Sequence, residues 1–246
     1  MEKLNFKNSL GLNLVGYLQH TNPQKIIILC HGFTGDKSER GKFDKVATAL
    51  YKAGFSVFRF DFSGCGESDD APILINTEVE DLNTVLQLIR SKGYAQLGLL
   101  GYSLGGLVSL KVKDPAIKSR VLWAPVTNKK EYYEQKFTQE QQLQLKNHGH
   151  FILNRPRKWR TKWHIPQQMI LDRSNINQKQ LLSGIMEPTL IIHGSFDKGI
   201  PIKDSKKAIS FLTNSKLVEV QDDHYFLNKI DQVVEKTVEW FLETIP

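Results

Sequence analysis

The sequence is poor in cysteine, with two in 246 residues, Cys30 and Cys65. That excludes a disulfide framework and a four-thiolate zinc site. It lacks any apolar run approaching the ~20 residues that a membrane-spanning helix requires. The longest early run is Ile26-Ile27-Ile28-Leu29-Cys30. The opening MEKLNFKNSLGLNL has no apolar stretch of the secretory-signal kind. The expectation is a soluble, cytoplasmic protein without integral membrane association. No repeat at solenoid period is present, and the Gln-rich piece 139–144 is short and reads as an exposed helix face.

Acidic residues are in the minority, 26 against 33 Lys and Arg, for a net charge of +7. The excess is local. Residues 126–173 hold ten Lys/Arg and four acids, so +6 of the charge sits in 48 residues and the other 198 are nearly neutral. A content of 40% hydrophobic and 24% charged residues is that of a globular chain and excludes a disordered or fibrous one. The length allows one large α/β domain.

Outside the basic segment, strand and helix patterns alternate. Segments 4–7 and 12–18 read as a hairpin, and 25–30 as a buried strand bounded by Pro23 and His31-Gly32. Helical spacing follows over 38–53, then a strand over 55–60 and a helix over 77–91. Next come a strand over 96–100, a helix over 103–111 and a strand over 119–123. After Glu187-Pro188 the pattern resumes with a strand at 189–193, a helix at 202–212, a strand at 216–220 and a closing helix at 229–244. Such alternation implies a mostly parallel sheet with helices on both faces. The stretch between is too long for a bare loop. It reads as an inserted cap with some helical periodicity, which divides the chain into a core of 1–124 and 184–246 and a cap of 125–183.

Gly101-Tyr102-Ser103-Leu104-Gly105 matches G-x-S-x-G and falls between an expected strand and an expected helix, the context that gives the motif meaning. The two glycines remove side chains that would crowd a strained turn, and the helix N-terminus favours developing negative charge. Ser103 is the candidate nucleophile, and it needs a base. Among seven histidines, His224 follows the last expected strand, where the base of a Ser…acid…His order belongs. His193, at a strand end, reads as structural, and His148, His150 and His164 precede the acid. Asp197, in the loop after strand 189–193, is the acid that fixes the histidine tautomer. Asp222 and Asp223 lie too near His224 in sequence to approach its ring easily, and Asp204 belongs to the next helix. The oxyanion hole calls for the backbone N–H of Leu104 and one from the loop His31-Gly32-Phe33-Thr34-Gly35, with Phe33 the natural donor. Cys30 reads as core. Cys65, between Gly64 and Gly66, sits where partial exposure is open, and nothing in the sequence makes it a nucleophile.

Together, His31-Gly32-Phe33, the Ser103 elbow, His193-Gly194-Ser195-Phe196-Asp197 and Asp223-His224 resemble the α/β-hydrolase superfamily over nearly the whole chain. Within it, the short HGF-T-G loop and the insertion after Trp123-Ala124-Pro125 resemble cinnamoyl/feruloyl esterases and monoglyceride-lipase-like hydrolases. Asp61-Phe62-Ser63-Gly64-Cys65-Gly66-Glu67-Ser68 resembles the family's D-x-R-G-x-G-x-S loop, with Ser63 in place of the arginine. The resemblance implies hydrolysis of a small-molecule carboxylic ester through an acyl-enzyme, without metal or organic cofactor. It also implies a cap over the acyl pocket, to which Tyr132, Tyr133, Phe137, Trp159 or Trp163 would contribute.

Three classes of function follow: a carboxylesterase on short acyl or hydroxycinnamoyl esters, a monoacylglycerol lipase, lysophospholipase-like enzyme or serine peptidase on the same fold, and a non-catalytic binding protein. The last is disfavoured because every triad member is present. The run from Arg155 to His164 mixes cations with Trp159 and Trp163. It is open to three readings: nucleic-acid contact, attraction to an anionic membrane or acidic substrate, or a solvated basic face. No nucleic-acid-binding fold surrounds it, so no nucleic-acid partner is expected, and the chain is expected to act as a monomer or homodimer.

Overall fold

A computed structural model describes residues 1–130 and 137–245. Its centre is an eight-stranded sheet. In chain order the strands are β1 (Glu2–Lys7), β2 (Asn13–Gln19), β3 (Lys25–Cys30), β4 (Ser56–Asp61), β5 (Gln96–Tyr102), β6 (Ile117–Trp123), β9 (Thr189–Gly194) and β10 (Ser215–Val220). Their spatial order is β1-β2-β4-β3-β5-β6-β9-β10. The β1–β2 and β2–β4 pairs are antiparallel and the rest are parallel. This mostly parallel sheet, covered by helices on both faces, is the architecture expected of the α/β-hydrolase fold.

Helices α1 (Lys42–Lys52) and α8 (Ile230–Thr244) cover one face, and α2 (Ile75–Ser91) and α3 (Leu104–Lys111) the other. Strand β3 shows why both faces must be covered. Its Ile27 and Leu29 enter the cluster under α1 and α8, whereas Ile26, Ile28 and Cys30 enter the one under α2. A strand apolar on both sides of the pleat cannot leave either face wet. Trp123 Nε1–H donates to Thr237 Oγ1 at 2.9 Å and fixes α8 against β6. Both cysteines are fully buried, Cys65 included, and burial pushes both thiols up. No described helix is long and apolar enough to cross a membrane.

One sequence expectation changes here and another is extended. The helix expected over 38–53 starts only at Lys42. Asp36 turns its carboxylate onto the Ser38 and Glu39 N–H groups, and Glu39, Arg40 and Gly41 all have positive φ, so residues 36–41 form successive turns. Between β6 and β9 lie α4 (Gln139–His148), β7 (His150–Asn154), β8 (Lys162–Pro166), α5 (Gln167–Ser174) and α6 (Gln178–Leu182). The helices agree with the periodicity of the segment, and the strand pair is an addition to it. Strands β7 and β8 form an antiparallel ribbon of five residue pairs, too short for period-2 alternation to register in the sequence. Helix α4 buries none of its residues. It is held by a Thr138–Gln141 capping box and by Gln144 Oε1, which accepts from Ile152 N–H at 2.7 Å.

Candidate active site

Ser103 joins β5 to α3 with φ 55° and ψ −113°. A non-glycine residue there costs of order 1–3 kcal/mol and persists only when its surroundings impose it. Here they do: Ser103 N–H donates to the Trp123 carbonyl at 2.9 Å, and its own carbonyl accepts from Gly106 N–H at 3.1 Å and Val126 N–H at 3.0 Å. A Cβ at Gly105 would collide with the carbonyl oxygens of Cys30 and His31, and one at Gly101 would stand 2.7 Å from the Gly105 oxygen. The motif glycines are therefore required by close backbone approach.

The loop after β10 presents His224. Its Nε2 lies 3.0 Å from Ser103 Oγ, and its Nδ1 lies 2.6 Å from Asp197 Oδ2. Asp222 shapes this loop. Its carboxylate accepts from the backbone N–H groups of Asp223, Asn228 and Lys229 and from the Asn228 amide, so it serves the loop and not the imidazole. A Cβ at Gly194 would collide with the Asp222 and Asp223 carbonyls, which shows how tightly the loop crosses the end of β9. The Tyr102 hydroxyl donates to the His224 carbonyl at 3.1 Å, and its ring lies 5.2 Å from the imidazole.

Asp197 sits in the turn after β9, where its Oδ1 accepts from Gly199 and Ile200 N–H, both at 2.8 Å. Burial pushes its carboxyl up. Hydrogen bonds from His193 and His224, the charge of His224 and the Ile200 N–H outweigh that and hold it well below the usual carboxylate range. His193, fully buried, has Nε2 2.9 Å from the Ile200 carbonyl and 3.3 Å from Asp197 Oδ2, while Nδ1 faces Ser205 Oγ at 2.7 Å. A carbonyl can only accept, so Nε2 carries the proton and Nδ1 accepts from the serine hydroxyl. His193 therefore helps to place the Asp197 carboxylate. Asp204 lies in the first turn of α7 (Ile202–Ile209) and accepts from the Asn128 amide.

After β3 the chain presses against Ser103, since a Cβ at Gly32 would stand 3.2 Å from Ser103 Cβ. Glu39 Oε1 holds the Gly32 N–H at 2.7 Å. His31 spans the turn: its Nδ1–H donates to the Gly32 carbonyl at 2.9 Å and its Nε2 accepts from Phe62 N–H at 3.1 Å. Among the described residues no carbonyl takes the Phe33 N–H. Leu104 opens α3, so its N–H has no partner within the helix.

Beside Ser103 lies a cavity of about 340 Å³, walled by Phe33, Leu104, Val126, Phe137, Phe151, Leu153, Ile165, Met169 and Ile170 with Gln141, Lys130, Arg155 and Arg173 among them. Phe137 is thus at the cavity. Trp163 is not; it is buried behind the wall with Leu104, Leu107 and Phe151. Trp159 is 42% exposed and stands with Lys37 and Lys158 near its ring, lining a different cavity. Tyr132 and Tyr133 lie outside the described residues. Among the described residues no group of three or more His, Cys, Asp or Glu is arranged to hold a metal ion.

Residues 21–184 match the sequence profile of the family described as serine aminopeptidase, S33. The chain belongs to that family. Over 100 residues, this S33 member is 33% identical to an uncharacterized 31.7 kDa protein of Escherichia coli encoded in the traX-finO intergenic region. That match covers 38% of this chain and spans about a third (34%) of the E. coli protein. The same fold is found in Est1E of Butyrivibrio proteoclasticus, solved with ferulic acid (22% identity, 98% of this chain and 99% of that one, TM-score 0.77). It is found again in the monoacylglycerol lipase of Paleococcus ferrophilus (17% identity, 94% and 98%, TM-score 0.75).

In this S33 member Ser63 turns both its N–H and its hydroxyl onto Asp81 Oδ2, while Asn8 takes Oδ1. The neighbouring Asp61 pairs with Lys37, which also reaches Glu67. Gln141, Arg155 and Arg173 at the cavity are not singled out by the sequence: the two arginines show there only as part of the local excess of cations, and Gln141 only as part of a Gln-rich piece that reads as an exposed helix face.

Proposed function

We propose that the protein is a serine carboxylesterase. The observation that carries this reading is the unbroken line of Ser103 Oγ, His224 Nε2, His224 Nδ1 and Asp197 Oδ2, with spacings of 3.0 and 2.6 Å. Ser103 attacks the ester carbonyl as His224 takes its proton, while Asp197 holds the imidazole in the required tautomer and stabilises its charged form. The N–H groups of Phe33 and Leu104 receive the oxyanion. His224 then gives its proton to the departing alcohol, leaving an acyl-Ser103. Water, deprotonated by His224, attacks that ester; the acid leaves and Ser103 regains its proton. No metal or organic cofactor takes part in these steps.

The mainly apolar cavity supports an acyl group of modest size, hydroxycinnamoyl or short-chain, covered by residues 125–183 acting as a cap. The ferulic acid bound to Est1E and the lipase named among the structural relatives fit the same reading. We further propose a cytoplasmic enzyme, active as monomer or homodimer. The family description favours a second reading, release of an N-terminal amino acid. An aminopeptidase must hold an α-ammonium, yet the charged residues described at the cavity, Lys130, Arg155 and Arg173, are all cations. A panel of p-nitrophenyl esters of rising chain length, hydroxycinnamate esters and aminoacyl anilides tests this. Turnover of esters over anilides is expected. Turnover of anilides alone would move the assignment to a peptidase, and failure of every substrate with no fluorophosphonate label on Ser103 would leave a binding protein.

A further inference from the structure

Arg155 is one of the cations that line the Ser103 cavity. Its guanidinium lies 5.9 Å over the Phe33 ring, with Nη1 3.4 Å from Thr34 Oγ1, beside the loop that would hold the oxyanion. Arg40 stands 5.5 Å over the Tyr225 ring, and Tyr225 packs against His224 at 5.7 Å. Lys42, buried, lies 3.7 Å over Tyr102, the residue whose hydroxyl holds the His224 carbonyl. Arg157 completes the group, and its Nε is buried with no hydrogen-bond partner among the described residues. Arg40 and Arg157 line a second cavity of about 640 Å³, so the cluster stands between that space and the one holding Ser103.

The like charges of Arg40 and Arg157 bear on both Lys42 and Arg155. The carboxylates that answer them, Glu39 and Asp223, already accept from the Gly32 and Tyr225 N–H groups. Four cations gathered against two engaged carboxylates repel one another, and a bound anion relieves the repulsion. An ester occupying the site has its acyl arm in the apolar cavity. Its alcohol must leave on the side of His224, which supplies the proton, and that is the side of Tyr102 and Tyr225.

We propose that Arg40, Lys42, Arg155 and Arg157 form a subsite for a phosphate carried on the alcohol part of the ester, so that the preferred substrate is an acyl ester of a phosphorylated alcohol. The proposal rests on the esterase reading above. Guanidinium forks suit phosphate oxygens, and two of the four groups approach from the 155–157 segment while two approach from the turn before α1 and its first residue.

The test compares butanoyl-glycerol with butanoyl-glycerol 3-phosphate, which differ only in the phosphate. In the wild type kcat/KM for the phosphorylated ester is expected to be at least tenfold higher. In the double variant Arg155→Gln/Arg157→Gln that ratio falls toward one, whereas Arg157→Lys keeps most of it. The same pair with dodecanoyl chains separates the sources of phosphate. A preference present in the butanoyl pair marks a soluble phosphorylated alcohol, and one present only in the dodecanoyl pair marks a lipid headgroup; both uphold the subsite. A ratio near one in every wild-type pair, with the neutral ester still hydrolysed, overturns the subsite and leaves the esterase standing, as does a ratio that the double variant leaves unchanged. Failure of all esters together with an unlabelled Ser103 overturns the esterase reading itself.

Discussion

At the scale of single residues, the site depends on groups held where they would not otherwise rest. Ser103 is kept at positive φ by three backbone hydrogen bonds, and Asp197 is kept ionised by hydrogen bonds and the charge of His224 against a burial that pushes its carboxyl up. Changing Asp197 to Asn removes the charge that stabilises imidazolium and permits the wrong tautomer. A loss of roughly 10⁴-fold in kcat is expected, with KM little altered. Gly105→Ala would drive a methyl into the carbonyls that end β3. The expected result is protein that either fails to fold or folds with the elbow displaced, read as lost solubility or a lowered Tm with loss of fluorophosphonate labelling.

Lys42 offers a separate check. Burial lowers its pKa to about 8, with Arg40 and Arg157 acting in the same direction against Glu39 and Asp223. The unfolded chain, with lysine near 10.4, therefore binds a proton between pH 8 and about 10.4 that the folded chain does not. Stability gains a contribution as pH rises through that window, and the penalty is fully present below it. Denaturant titrations should show this rise in the wild type and a smaller one in Lys42→Met, with the variant the more stable at pH 7. Equal pH profiles would contradict the buried, charged lysine.

At the scale of elements, the two cap tryptophans separate what packs from what is exposed. Trp163 is 2% exposed beside Leu104 and Leu107, whereas Trp159 is 42% exposed. Trp163→Ala should cost about 3–5 kcal/mol of unfolding free energy, and Trp159→Ala a small fraction of that, measured by denaturant unfolding. The sequence could not tell these two apart, because both sit in one run of arginines and lysines and only tertiary packing distinguishes them. The central parallel strands are legible where they are short apolar blocks ended by glycine, proline or a polar turn, as in Ile26–Cys30 before His31-Gly32. The start of α1 was not, because Phe43, Val46 and Leu50 keep helical spacing that says nothing of the Asp36 carboxylate unwinding the residues before them. The β7–β8 ribbon was hidden by its shortness. Ser103, Asp197 and His224 are candidates from the sequence because strand ends and chain order restrict where each can fall, and the structure brings the three within hydrogen-bonding distance. The bracing of Asp197 by His193, and the reach of Arg155 to Thr34 in the loop after β3, arise only from packing.

At the scale of the whole molecule, the sheet supplies one edge where the carboxyl ends of β3, β5, β9 and β10 lead into the loops that hold Phe33, Ser103, Asp197 and His224. Described residues between β6 and β9 wall the cavity beside Ser103, and residues 126–173 hold +6 of the net charge of +7. On the proposed reading, that local charge bears on which esters enter. The account depends on one covalent step. Purified protein treated with a p-nitrophenyl ester and quenched within the first turnovers should show a burst of p-nitrophenol and an acyl mass increment on the peptide bearing Ser103, both lost in Ser103→Ala. Ester hydrolysis that proceeds without the increment, or undiminished in Ser103→Ala, would contradict it.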